Sequence, residues 1–268
     1  MPGHSSGAKL ANSDSISTMR LSLALLPFIL VSWSVAAAPQ SAPLKLYAAV
    51  PITRRAPSAD ESFKAFQQRL AAVAKHRVYA GLEPLVAPHD FFWDRDYNVG
   101  FDPRKPAVDN LAAAVKLERG NGAGWEQLAE FAAAVATDPE PSRPGVVCAP
   151  APPDFDTVAF SKLLETTYTE GIDWAYPRAD ETIVRAAPEA GAAAIDKLGP
   201  VFVRFQAFVG ADGAPNPALN QWARVVMPDA KTGFVAPGGL MKLDAARLCY
   251  AKDPVAGWRI TGYVGGSD

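Results

Sequence analysis

Cysteine and histidine are nearly missing from this 268-residue chain, which has two of the first, Cys148 and Cys249, and three of the second. That scarcity excludes whole classes of chemistry. A cysteine peptidase needs a thiolate beside an imidazole and an orienting polar group, yet residues 58–137, where a catalytic domain would lie, hold no cysteine. A zinc amidase needs at least three protein ligands, whereas beyond the leader only His76 and His89 occur, thirteen residues apart and outside any HExxH pattern. Excess positive charge is lacking too. With a net charge of −2 and scattered basic residues, the chain has no basic, aromatic-interleaved stripe to neutralise phosphates, so nucleic acid is not an expected partner. Long hydrophobic runs are also absent: the Leu21–Val31 run covers eleven residues, short of the roughly 20 that cross a bilayer as a helix.

That short run has the arrangement of a secretory leader. The first eighteen residues are polar and aperiodic, Arg20 follows Met19, the apolar run comes next, and Val35-Ala36-Ala37 puts small residues where a signal peptidase reads. The expected functional start is Met19 and the expected cleavage follows Ala37, because Pro39 would obstruct a cut one residue later. No cysteine stands at that site to carry a lipid. The expectation is therefore a periplasmic or secreted protein with no membrane span in its mature chain. In an oxidising compartment an even, minimal cysteine count favours a Cys148–Cys249 disulfide; the alternative is two separate buried thiols.

Composition is that of an ordinary globular protein, with 49% hydrophobic and 20% charged residues. Ser58 and Glu61 have capping-box spacing, and Phe63, Phe66, Leu70 and Val73 recur at helical spacing after them. Further helical stripes appear at Val108, Leu111, Ala112 and Val115, then at Trp125, Leu128, Ala129, Ala132 and Val135. Residues 58–137 are thus expected to form a small helical domain. Six prolines between Asp138 and Asp154 predict a linker over 138–154. Residues 155–268 begin with a short helix, Asp156 to about Thr167, and continue as strand-like segments divided by Gly and Pro: 182–185, 201–208, 221–226, 233–235, 247–250 and 258–264.

Val184-Arg185-Ala186-Ala187-Pro188, Ala194–Gly199, Trp222-Ala223-Arg224-Val225 and Lys231-Thr232-Gly233-Phe234-Val235 resemble, in order, the recurring segments of the bacterial Src-homology-3-like (SH3-like) domain. The resemblance covers residues 174–243, about a quarter of the chain, and the whole chain is similar to exported SH3 domain-containing proteins of Gram-negative bacteria. Ala230 stands where that family usually has a turn glycine, and the segment 210–220 lengthens one loop. The resemblance implies an α+β protein: a helical N-terminal domain, then a small closed β-barrel, with residues 247–264 as an extra terminal hairpin. It also implies an accessory, non-catalytic module that binds cell-wall peptide or an envelope protein, with no cofactor.

Candidate site residues follow from residue chemistry. Trp174 and Tyr176, with Asn220, could border a ligand groove, since rings offer large contact area at low entropic cost; as core residues under the linker helix they would serve equally well. Trp222 and Phe234 are expected in the core. An alternative of another class is an envelope hydrolase with a site near His89, Asp94 and Asp96. The run Asp94–Asp102 spaces its oxygens like a calcium loop, but Val99 and Lys105 stand where glycine and a bidentate Glu are needed, so no metal site is expected. A third reading is a purely structural exported protein.

Overall fold

The computed structural model describes residues 46–94, 100–117, 122–216 and 221–265. The expected leader, Asp96 and Asn220 lie outside the described residues. In chain order the elements are β1 (Ile52–Thr53), α1 (Glu61–His76), β2 (Phe92–Asp94), α2 (Ala107–Ala114), α3 (Ala123–Ala133), β3 (Asp138–Pro139), β4 (Val146–Ala149), β5 (Asp154–Phe155) and α4 (Thr157–Thr167). They continue as β6 (Trp174–Pro177), β7 (Thr182–Arg185), β8 (Ala194–Leu198), β9 (Val203–Val209), β10 (Trp222–Val226), β11 (Thr232–Val235), β12 (Leu240–Lys242), β13 (Arg247–Asp253) and β14 (Gly257–Val264). The protein is α+β, as expected from its pattern.

The helical stripes form where their periods place them, but their partner is the far end of the chain. Asp60, not Ser58, caps α1: its Oδ1 accepts from the amides of Ser62 at 2.8 Å and Phe63 at 3.2 Å. The apolar face of α1 then meets the β13–β14 hairpin, with the ring of Phe63 5.1 Å from Tyr250 and 5.0 Å from Trp258, both edge-on. Phe66, Leu70, Leu111, Leu128, Leu248, Tyr250 and Ile260 share one buried cluster. Residues 58–137 therefore do not stand as a separate helical domain, and the hairpin is no appendage of a barrel. Helices need an apolar floor, and β13–β14 supplies it.

The stretch expected as a linker is part of that floor. Among the described residues one sheet runs β2-β14-β13-β4-β3, with β3 and β4 drawn from residues 138–154. The prolines fall at the edge strand β3, in the turn around Pro141 and Pro144, and after β4, positions where a missing N–H breaks no ladder. Cys148 on β4 lies directly across from Cys249 on β13, and the two are disulfide-bonded. Residues 43–268 accordingly fall in one compact unit rather than two domains and a tether.

The second sheet runs β12-β6-β9-β10-β11-β7-β8 among the described residues. A closed barrel would need β8 to pair with β9, but the free side of β9 is taken by β6, which pairs antiparallel through Trp174↔Arg204 and Ala175↔Val203. The sheet therefore stays open. Residues 46–55 lace onto it: the Tyr47 amide donates to Pro228 O at 3.1 Å, its hydroxyl donates to Val226 O at 2.7 Å, and the Ile52 amide donates to Pro200 O at 2.8 Å. Burial pushes the Tyr47 hydroxyl up, out of the ordinary tyrosine range.

Replacing both cysteines by serine removes a cross-link spanning 101 residues. The chain-entropy argument puts the loss of unfolding free energy at up to about 4.7 kcal/mol, to be measured by urea denaturation. Asp60 adds a pH-dependent contribution. Its carboxylate is held well below the usual range, first by Lys252, whose Nζ lies 2.8 Å from Oδ2, and then by the Ser62 hydroxyl. A depressed carboxylate contributes stability that is complete above its unfolded pKa of about 4 and is lost as pH falls toward the folded value. The urea midpoint should thus decline below about pH 4, and Asp60→Asn should lower the midpoint at neutral pH while flattening that acid decline.

Candidate functional site

Side chains of β10, β11 and β7 alternate between two faces of the second sheet. Ala223, Val225, Val235 and Val184 take one face and are buried with Ala175, Leu198, Val203 and Met227. Gly233 lets β11 approach closely there: a Cβ at that position would lie 2.2 Å from Val184 Cγ1. Period two then sends Trp222, Arg224, Phe234, Arg185 and Ile183 to the opposite face. Register puts Ala207, Arg224, Phe234 and Arg185 side by side on four adjacent strands. Farther along β10, Val226 enters the cluster of Trp174, Tyr176 and Phe202 beneath Phe160 and Leu163 of α4. Trp222, Arg224, Phe234 and Arg185 remain half-exposed.

The two arginines of this row are held in place by backbone oxygens. Arg224 Nη2 donates to Gly213 O at 2.6 Å, and Arg185 Nη1 donates to Ala192 O at 2.7 Å. The Arg224 guanidinium also lies 5.6 Å from the centre of the Phe234 ring. Among the described residues neither arginine forms an ion pair, whereas the nearby Lys197 is paired with Glu181 at 2.9 Å. The face thus combines two half-exposed aromatic rings with two oriented, uncompensated positive charges. Such a set can stack on an apolar group and donate paired hydrogen bonds to an anion.

The residues expected from sequence as ligand anchors lie elsewhere. Trp174 is completely buried, its Nε1 donating to Thr169 Oγ1 at 2.9 Å and its ring edge-on to Tyr47 at 5.0 Å. Tyr176 is buried as well, and desolvation pushes its hydroxyl up to about 12. Both belong to β6, an inner strand of the sheet whose four residues are all buried, so neither ring borders a groove. Trp222 and Phe234, expected in the core, are instead half-exposed. The spacing held the signal: Trp222 and Val225 are three residues apart and cannot share a face of one strand, whereas Trp222 and Arg224 must.

Of the alternative site, the described residues are His89 and Asp94. Both oxygens of Asp94 are engaged by Arg143, at 2.6 and 3.1 Å, and that guanidinium stacks 3.7 Å from the centre of the Phe92 ring. His89 is exposed on the loop before β2. Asp102, at the end of the calcium-like run, binds the Arg104 side chain at 3.0 and 3.1 Å and also accepts from the Arg104 amide. No group of three or more His, Cys, Asp or Glu is placed to hold a metal among the described residues.

The two-faced arrangement has a stability signature. Phe234→Ala, at a half-exposed residue, should cost about 1–2 kcal/mol, whereas Phe202→Ala, at a fully buried residue, should cost about 3–5 kcal/mol in urea unfolding.

No protein-family model, curated protein sequence or solved structure matches this chain.

Proposed function

We propose that the protein is an exported, non-catalytic recognition protein of the bacterial envelope that binds cell-wall peptide through an SH3-like sheet. The observation that carries this reading is the face on which Phe234 lies half-exposed between Arg224 and Arg185, with half-exposed Trp222 two residues along β10 from Arg224. Solvent-facing aromatic and arginine side chains held in one register are the residue types that concentrate binding energy at interfaces.

Several features support the SH3-like part. The four segments that carry the resemblance occupy β7, β8, β10 and β11, which are consecutive neighbours in the order β10-β11-β7-β8. Ala230, in place of the family's turn glycine, has φ 65°, the left-handed conformation for which glycine is suited. Export is supported by the buried Cys148–Cys249 bond, which persists in oxidising compartments. No helix among the described residues is long and apolar enough to cross a membrane. A leader starting at Met19 and cut after Ala37 would deliver the mature protein to the periplasm or outside the cell.

Sedimentation with purified peptidoglycan sacculi tests the reading. The secreted protein should co-pellet, and Trp222→Ala combined with Phe234→Ala should weaken binding by at least about 100-fold while leaving the circular dichroism spectrum unchanged. Co-pelleting no greater than that of an unrelated secreted protein refutes the proposal.

A further inference from the structure

We infer that the open face recognises free carboxylates, and that its ligand is an extended peptide carrying two of them on either side of an apolar group. This rests on the reading of the face as a wall-peptide site and adds the chemical determinant that the site selects.

The argument starts from charge. A guanidinium offers five N–H donors in a planar fork. Arg185 and Arg224 each direct one nitrogen to a backbone carbonyl, which holds the group and leaves the remaining donors for another acceptor. Neither is compensated by a carboxylate of the described residues, although carboxylates are plentiful nearby: Glu181 pairs with Lys197 at 2.9 Å, and Asp229 pairs with Lys231 at 2.6 Å. Two restrained cations without counter-charges on one sheet face form the complement of a ligand with matching negative groups.

Spacing then restricts that ligand. Arg224, Phe234 and Arg185 lie on three successive strands in direct register, so their backbones are separated by two strand spacings, about 10 Å. Three residues of extended peptide span the same distance, at about 3.3 Å each. A peptide crossing the strands would place acidic groups about three residues apart over the arginines and an intervening apolar group on the Phe234 ring. Arginine suits this task better than lysine, because its fork meets both oxygens of a carboxylate at once.

The experiment compares two soluble probes by isothermal titration with the intact protein: muropeptides with free carboxylates, and the same muropeptides with those carboxylates amidated. Amidation should weaken binding by about tenfold or more, and Arg185→Gln and Arg224→Gln should each weaken binding of the free form by a similar factor. On the amidated probe, wild type and Arg224→Gln should bind equally, since the interaction is already gone. Arg224→Lys should restore only part of the affinity. Equal affinity for the two probes, with the Trp222→Ala and Phe234→Ala pair still abolishing binding, would overturn the carboxylate assignment and leave wall recognition standing. If neither probe binds and sacculi do not pellet the protein, both readings fail together.

Discussion

Everything in this molecule hangs on the pairing of β4 with β13. It brings residues 146–149 against residues 248–251, and with them a proline-rich segment against the last hairpin of the chain. Without that register β13 would be an edge strand of a small sheet, paired on one side only, with β14 and the three-residue β2 beyond it. With it, the hairpin becomes the centre of a five-stranded sheet and offers α1, α2 and α3 a surface to bury Phe63, Phe66, Leu111 and Leu128. The Cys148–Cys249 bond joins the two strands within this pairing, where both residues are fully shielded from solvent.

Local structure was largely legible from the sequence, and long-range partnership was not. The stripes at Phe63–Val73, Val108–Val115 and Trp125–Val135 became helices because period and capping are local properties, although the cap moved from Ser58 to Asp60 and the third helix ends at Ala133, leaving Val135 exposed outside it. The strand segments at 182–185 and 222–226 were equally plain, since β-branched and aromatic residues alternate there. Proline density misled for a physical reason. It reports missing N–H donors, and short edge strands tolerate these as readily as linkers do. Nothing in the local pattern of Leu248-Cys249-Tyr250 says that its apolar side faces helices lying far upstream in the chain.

The half-exposed face of the second sheet repeats this lesson on a smaller scale. Trp174 and Tyr176 looked available because they precede the strands of the resembling segment, but β6 inserts next to β9 and is covered by α4 and the Tyr47 segment. Insertion of β6 does two things at once. It keeps the sheet from closing, and it moves two aromatic rings inside while the alternation of β10 and β11 turns two others out. Arg224 then becomes a neighbour of Phe234 within the β10–β11 hairpin, while Arg185 reaches its other side from β7, well upstream in sequence.

The crossing of the chain's two ends also dictates an order of events. Residues 46–55 attach to strands that follow Pro200, and Phe63 waits for Tyr250. A chain emerging N-terminus first therefore cannot complete the helical layer until the β13–β14 hairpin has appeared, and residues 46–55 wait for the strands of the second sheet. Such dependence on distant contacts slows folding. The consequence is that the early helices stay without their apolar floor until residues 247–264 are available to pair and cover it.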